Sequence, residues 1–184
     1  EQCPARRRAG PAPATGARIV DALATFVRTI HAGDTEWDRM KQDPESLKQS
    51  SAGRGFLVFS ETANCTNCHL PPLFSDTLFH NVGVGYDKAT PDPGRGKVVT
   101  SDPKMMGAFK TPTLRGVALS GPYFHDGQAK TLEEAVDFML KGGLKNPNLD
   151  EKLQPKQITP EQRRDLLAFL RSLTPVSAKR PYRR

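Results

Sequence analysis

One short segment carries the strongest chemical signal in the sequence, Cys65-Thr66-Asn67-Cys68-His69. In a CxxCH segment both thiols can add to the two vinyl groups of a haem, and the adjacent imidazole can reach the iron from the same side. The two-residue spacer sets the distance between the sulfur atoms, and the histidine must follow at once because the ring lies flat against that turn. The sequence therefore predicts one covalent haem c, attached at Cys65 and Cys68, with His69 as an axial iron ligand.

Two other kinds of site also use closely spaced cysteines. A zinc site would need two more cysteine or histidine ligands at a comparable spacing, and Cys3 alone does not supply them. A redox-active dithiol would be expected in a βαβ context, which the sequence lacks. Haem attachment is favoured over both, and it leaves Cys3 as a free thiol or as a residue that pairs outside this chain.

Composition and charge narrow the function classes. No run approaches the ~18–20 consecutive apolar residues of a membrane span, so no integral membrane span is predicted. The net charge of +7 lies mostly at the ends, since residues 1–16 carry +2 and residues 176–184 carry +4, which leaves +1 for residues 17–175. A nucleic-acid-binding protein would place basic and aromatic residues on its folded part, so nucleic acid is not a predicted partner.

Because the chain begins with Glu1 and shows no signal-peptide pattern, we interpret it as a processed chain or a fragment.

Periodicity and capping patterns predict four helices and no strands. Apolar residues from Ile19 to Ile30 recur at steps of three and four, and a second helical piece is predicted over residues 51–61. Capping boxes at Thr131 and Thr159 each predict the start of a further helix. Apolar residues make up only 36% of the chain, so a large flat cofactor would supply core that the side chains lack.

The domain organisation follows from the same patterns. Residues 70–113 are rich in Pro, Gly and Asp, and a loop of this length inside a domain is usually functional or wrapped around a ligand. We expect a flexible N-terminal segment over residues 1–16, one c-type cytochrome domain over residues 17–175 and a basic tail over residues 176–184.

The residues around the motif resemble bacterial dihaem cytochrome c peroxidases and the related methylamine-utilisation dihaem enzymes. The resemblance covers about residues 19–174 and is carried by FLVF before CTNCH and by FSD, FHNVG, FKTPTLR, PYFHDG and TLEEAV after it. It implies an all-α, class I cytochrome c-like haem domain with long loops. What matches is the C-terminal half of the family, which in the peroxidases carries the electron-transfer haem; the half with the peroxide-reacting haem is absent.

A methionine near the end of the third predicted helix is the predicted second axial ligand. Met139 falls on the same face as Leu132 and Val136, where a capped helix could hold the thioether rigidly. The resemblance implies the same position, because the family's electron-transfer ligand follows the PYFHDG-like segment by about this spacing. The methylamine-utilisation enzymes have a tyrosine instead. Met105 and Met106 are the alternative ligands.

Five further residues have predicted roles. An arginine fork matches a carboxylate, so Arg115 is predicted to bind a haem propionate, with an ordinary surface arginine as the alternative. His80 and His125 are expected to be pocket residues, and they would be the acid–base groups if the chain is itself a peroxidase. The resemblance also implies a calcium ion between two haem domains, held in part by the backbone carbonyls of Ser120 and Pro122.

Three function classes remain. The first is the electron-transfer domain of a cytochrome c peroxidase-family protein, which passes electrons to a peroxide-reducing haem on a missing segment or partner, because His69 and Met139 fill both axial positions. The second is a self-sufficient haem peroxidase or methylamine-utilisation-type oxidoreductase, and the third is a structural haem subunit of a larger assembly. Covalent haem implies a periplasmic or otherwise exported protein, whose expected partner is a redox protein or a second haem domain.

Overall fold

A computed structural model describes residues 13–30 and 32–176 of the chain. The chain divides into two compact units after residue 31. Most of the predicted flexible segment 1–16, nearly all of the basic tail 176–184 and Cys3 lie outside the described residues.

The first unit contains helix α1, Gly16–Thr29, which confirms the first predicted helix. Its amino end is capped by Thr15, whose hydroxyl accepts the backbone N–H of Arg18 at 3.4 Å. No residue of α1 is buried, and large apolar side chains such as Leu23 and Phe26 are more than half exposed. Neither α1 nor any other described helix is long and apolar enough to cross a membrane.

The described part of the second unit is helical with one very short sheet. Its helices are α2 Glu36–Met40, α3 Pro44–Gln49, α4 Ser51–Leu57, α5 Leu132–Leu140 and α6 Pro160–Ser172. Strand β1, Phe79–His80, pairs antiparallel with strand β2, Phe109–Lys110. The sequence missed α2, α3 and the strands, because elements of two to six residues are too short to show a hydrophobic period.

The helix predicted over residues 51–61 changes its hydrogen-bonding pattern midway. It is α-helical in α4 and continues as a π-helical turn, Val58–Thr62. Such turns are rare and are frequently found at functional sites. Only Ala63 and Asn64 separate the end of this turn from Cys65, so the turn leads directly into the CTNCH segment.

Helices α4 and α6 cross at very close range. A Cβ atom on Gly55 would lie 1.9 Å from the carbonyl oxygen of Asp165, so only glycine permits this approach. The ring of Phe169, which is fully buried, lies 4.9 Å from the ring of Trp37 and 5.0 Å from that of Phe59. The packing of α4 against α6 and the aromatic cluster around Phe169 therefore form the core next to which the CTNCH segment lies.

The long loop over residues 70–113 is ordered by one buried amide. The Asn81 side chain, which is 2% exposed, donates to the carbonyl of Met106 at 2.7 Å and accepts from the backbone N–H of Gly83 at 2.8 Å. Its amide also pairs with that of Asn146, with both N···O distances at 3.1 Å. Asn81 thus joins two parts of this loop to each other and to the segment that contains Asn146.

Candidate haem-binding site

The CTNCH segment folds into a single tight turn. Asn64 begins it in a left-handed conformation at φ 54°, and a 3₁₀ turn, Cys65–Asn67, follows. The carbonyl of Cys65 accepts the backbone N–H groups of Cys68 and His69 at 3.3 and 2.9 Å. The turn therefore brings the two thiols and the imidazole close together, as attachment of one haem requires.

Both thiols of the segment are free and protonated. Burial raises the pKa of Cys65 to about 12 and that of Cys68 to about 11. Reactive dithiols need the opposite shift, because the thiolate is the nucleophile and a lowered pKa supplies it. The structure thus disfavours a redox-active dithiol here, and it is compatible with thiols that are consumed in forming thioethers.

The imidazole of His69 is oriented by the backbone. Its Nδ1 lies 2.8 Å from the carbonyl oxygen of Phe74, which fixes the tautomer with the proton on Nδ1 and the lone pair on Nε2. Burial lowers the pKa of His69, so the ring is neutral and able to ligate a metal. Phe74 adopts φ 54°, a strained value for a non-glycine residue, to present that carbonyl.

Met139 is half-buried near the end of α5. The predicted capping box is confirmed: the Thr131 hydroxyl accepts from the N–H of Glu134, and the Glu134 carboxylate accepts from the N–H of Thr131. The ring of the neighbouring Phe138 lies 4.9 Å from that of Phe124. Helix α5 is therefore anchored at its start and packed near its end, which suits a side chain that must hold a fixed position.

The two alternative methionines lie on a loop instead. Met105 ends a 3₁₀ turn, Pro103–Met105, and Met106 follows it with 41% of its surface exposed. The Met106 carbonyl serves the Asn81 amide. The rigid element that the ligand prediction depends on is present only at Met139, and the choice among the three stays a prediction.

A chain of hydrogen bonds joins the end of α5 to the CTNCH segment. After α5, the backbone N–H of Leu144 donates to the carbonyl of Val82 at 3.2 Å, and that of Asp150 donates to the carbonyl of Asn81 at 2.9 Å. On the other side, the backbone N–H of Asp76 donates to the carbonyl of Cys68 at 2.7 Å. His80 links the two sides, because its ring lies between the side chains of Asp150 and Asp76.

Both ring nitrogens of His80 face carboxylates. Nε2 lies 2.8 Å from Asp76 Oδ2 and Nδ1 lies 2.5 Å from Asp150 Oδ2. An acid–base residue needs a nitrogen that faces the substrate, so this geometry does not favour the catalytic role considered for His80. Sequence reasoning gave Asp76 no role, and it missed Asp150 because a separation of 70 residues leaves no local signal for that pairing.

His125 has a different environment, and its ring is exposed. It stacks on Phe109 with the ring centroids 3.7 Å apart and the planes 9° from parallel. The neighbouring Asp126 accepts from Lys88 Nζ at 2.8 Å, and this pairing holds the pKa of Asp126 below its usual range despite the opposing effect of burial. Of these two histidines, only His80 pairs with carboxylates in the described part of the chain.

Arg115 is engaged within the protein rather than free for a ligand. Its guanidinium donates through Nη1 and Nη2 to the carboxylate of Asp38 at 2.7 and 3.1 Å. Nη1 also donates to the carbonyl of Ala32, and Nε donates to that of Pro72 at 2.7 Å. These bonds use four of the five N–H groups and leave one on Nη2. A propionate could therefore receive only one hydrogen bond from Arg115, rather than the two of a bidentate pair. The alternative of an ordinary surface arginine does not describe this tied side chain either.

Ser120 and Pro122 lie on an exposed turn. Gly121 lies between them and forms a cis peptide bond with Pro122. The Ser120 hydroxyl donates to the carbonyl of Val117 at 3.0 Å. Calcium takes six to eight oxygen ligands, so two carbonyls could supply only part of such a site.

No family model matches the sequence. Among curated proteins, methylamine utilization protein MauG of Methylorubrum extorquens is 44% identical over 160 residues, which cover 86% of this chain and 44% of MauG. Cytochrome-c peroxidase IdrP1 of Denitromonas iodatirespirans is 34% identical over 83% of this chain and 48% of its own length. Among solved structures, a MauG-like protein associated with microbial copper homeostasis has a TM-score of 0.74 at 31% identity, covering 91% of this chain and 60% of that chain.

The chain thus spans less than half the length of the curated relatives that it matches. That this span corresponds to their C-terminal half stays a prediction. The helix-rich architecture with few strands agrees with the cytochrome c-like fold predicted from the sequence. Over the length that it spans, the chain is thus similar to MauG proteins and bacterial cytochrome c peroxidases.

Proposed function

We propose that this chain is a c-type haem domain that transfers electrons within a cytochrome c peroxidase-family protein. Cys65 and Cys68 would attach one haem, and His69 and Met139 would hold its iron. When bound, the haem supplies a one-electron carrier. The acceptor is a second, peroxide-reducing haem on a partner or on a further segment, because the curated relatives are about twice as long as this chain.

The observation that carries this proposal is the bond between His69 Nδ1 and the carbonyl of Phe74. This bond selects the tautomer that leaves Nε2 available to iron. His69 directly follows Cys68, and neither Cys68 nor Cys65 is in a disulfide. A structural zinc site would need four ligands, and the described residues group only Cys68, Asp76 and His80 within 4.8 Å. Both nitrogens of His80 are already committed to carboxylates, which argues against a metal in that group.

The remaining residues act by positioning. The strained backbone at Phe74 holds the imidazole of His69, and the capped helix α5 holds the thioether of Met139. With His69 and Met139 both holding the iron, the haem would supply a one-electron carrier with no open iron position for a substrate.

The proposal is tested by haem content under denaturing conditions. Protein matured in a host that attaches haem c should keep its colour through acid–organic extraction and should gain the mass of one haem. The Cys65→Ser/Cys68→Ser variant should lose its pigment in the same extraction. Extraction of the pigment from the unmodified protein would contradict covalent attachment, and a mass gain of two haems would contradict the single site.

A second candidate function is a MauG-type or peroxidase-type oxidoreductase in its own right, favoured by the 44% identity to MauG. It requires an iron position that peroxide can reach and a free acid–base group, for which exposed His125 is the better placed of the two histidines. Steady peroxide turnover and tight cyanide binding by this chain alone would favour this function over electron transfer.

Two further properties belong to the same proposal. Cytochrome c maturation places the protein in the periplasm or an equivalent exported compartment. Calcium, if it binds, uses the carbonyls of Ser120 and Pro122 together with oxygens from a second domain. The chain alone should therefore bind calcium weakly, which calorimetric titration of the haem-loaded protein would measure.

A further inference from the structure

We propose that the apolar side of helix α1 is a docking surface for a second folded domain, the one that carries the acceptor haem of the proposed function. The inference rests on that proposed function for the identity of the domain. For the surface itself it rests on the exposure and the composition of α1. It gives a binding role to the unit that ends at residue 31, which supplies no residue to the haem site described above.

Helix α1 separates its apolar and polar residues onto opposite sides. At about 100° per residue, its large apolar side chains fall within an arc of about 120°, the width of a stripe that faces the core of a globular protein. The opposite side carries Arg18, Asp21, Thr25 and Arg28. The apolar residues are Ile19, Val20, Leu23, Phe26 and Val27, with Ile30 at the end of the helix.

The apolar side of α1 is uncovered. These six side chains are between 52% and 66% exposed, and no residue of α1 is buried. Single exposed apolar residues are common on proteins, but a continuous apolar patch is typical of an interaction site. A helix of 14 residues is also marginal in water unless one of its sides packs against another element. The helix therefore needs a partner that buries this side.

The composition of α1 favours a folded domain over the other two kinds of partner. Helices that lie on membranes have polar sides rich in lysine and arginine, whereas that of α1 carries two arginines and one aspartate. A coiled coil with a second copy of the chain would use a narrower seam, repeated over about three or more heptads, and α1 is only 14 residues long. A wide, weakly charged apolar stripe on a short helix is the pattern of a helix that packs against the core of a globular domain.

The lengths of the relatives indicate the source of that domain. The 160 matched residues are 44% of MauG from Methylorubrum extorquens, which leaves about 200 further residues, the size of a domain. The matched share of IdrP1 from Denitromonas iodatirespirans is similar, at 48%. A domain of that size has an apolar core that α1 can join. Docking through α1 would keep the two haem domains together, as electron transfer between them requires.

The test compares amide hydrogen exchange of residues 16–29 in this chain alone and in the native particle isolated from its source. In the chain alone, at concentrations where it is monomeric, α1 should exchange less than about tenfold more slowly than an unfolded peptide. Helix α6, which contributes buried residues to the core, should exchange slowly in the same sample. In the native particle, exchange of α1 should slow by about a hundredfold or more.

Two variants locate the contact. Leu23→Glu places a charge in the middle of the apolar side, so it should return α1 to fast exchange in the native particle. Thr25→Glu adds the same charge to the polar side and is the matched control, which should leave the protection of α1 unchanged. Both residues are exposed in the chain alone, so neither variant should change the thermal unfolding of the second unit.

Slow exchange of α1 in the monomeric chain would overturn the inference, because α1 would then pack within this chain. Fast exchange in the native particle, or a native particle with no further domain, would overturn it as well. So would a dimer of the chain alone that Leu23→Glu dissociates, or a gain of helicity with vesicles of phosphatidylcholine and phosphatidylglycerol. A native particle that protects α1 but carries only one haem would support docking through α1 and would contradict the second haem of the proposed function.

Discussion

Arg115 and Asp38 form a two-bond ion pair between elements 77 residues apart in the sequence, with Nη1–Oδ2 and Nη2–Oδ1 distances of 2.7 and 3.1 Å. Asp38 lies on α2, and the same guanidinium donates to the carbonyl of Pro72, in the segment that follows His69. The pair therefore connects the short helix α2 to the segment that follows the predicted haem ligand. The two side chains are only 12% and 23% exposed.

Breaking this pair should destabilise the protein in a pH-dependent way. The hydrogen bonds from Arg115 hold the pKa of Asp38 well below its usual range. A carboxyl group with a lowered folded-state pKa contributes stability above its unfolded value of about 4 and loses it as the pH falls further. Asp38→Asn should lower the free energy of unfolding by about 2 kcal/mol at pH 7, and this difference should shrink at pH 3. Guanidinium chloride unfolding at the two pH values measures both effects.

The control for this prediction is Asp34→Asn. Asp34 pairs with Arg39, but both side chains are more than half exposed, at 67% and 58%. Exposed pairs contribute about 0–1 kcal/mol, so this variant should change little. Equal losses in the two variants, or a loss in Asp38→Asn that does not depend on pH, would contradict the role given to the Arg115–Asp38 pair.

A second prediction concerns the crossing of α4 and α6. Gly55→Ala should destabilise the protein by about 2 kcal/mol, because the added Cβ would lie 1.9 Å from the carbonyl oxygen of Asp165. The result runs against helix propensity, which favours alanine over glycine by about 1 kcal/mol. Gly16→Ala, at the first position of α1 where a Cβ would meet no atom within 4 Å, is the matched control and should be neutral or slightly stabilising. Thermal unfolding of both variants decides between clash and propensity.

The features that sequence reasoning predicted well are those with local signals. The helices after Thr131 and Thr159 begin where their capping boxes place them, and the CTNCH turn has the compact geometry that its spacing implies. Each of these depends on residues within one or two turns of one another. Local hydrogen-bonding chemistry was sufficient to find them.

The features that it missed depend on distant residues. His80 was recognised as a pocket residue, but Asp150 lies 70 residues away and nothing in the sequence links the two. Arg115 was assigned to a propionate on the strength of its fork, yet Asp38, 77 residues earlier, occupies that fork. The presence of an arginine or a histidine predicts that a carboxylate will pair with it, but only the fold determines which carboxylate that is.

A third prediction separates the role of α5 from helix stability in general. Thr131→Ala and Thr159→Ala each remove a capping hydroxyl, from α5 and α6, and each should cost about 1 kcal/mol. Only α5 carries Met139. In the haem-loaded protein, Thr131→Ala alone should lower the temperature at which the spectral signature of methionine ligation fades. The same fading in both variants would show that general stability, rather than the anchoring of α5, controls the ligand.

The last prediction tests Met139 itself. A neutral thioether is a soft ligand that favours ferrous iron, so Met139→Ala should lower the haem potential and open the iron to cyanide or peroxide. The haem should remain attached, because Cys65, Cys68 and His69 are unchanged. Met139→His should keep six ligands and also lower the potential.

The matched control is Met105→Ala, which removes the same side chain from a 3₁₀ turn rather than from α5. The measurement is the weak near-infrared charge-transfer band of ferric haem with histidine and methionine ligands. Met139 lies half-buried on a helix fixed by its Thr131–Glu134 capping box, so its variant should lose the band. Met105 belongs to a loop held through backbone contacts, so its variant should keep it. The reverse pattern would make Met139 a packing residue and transfer the ligand to the loop.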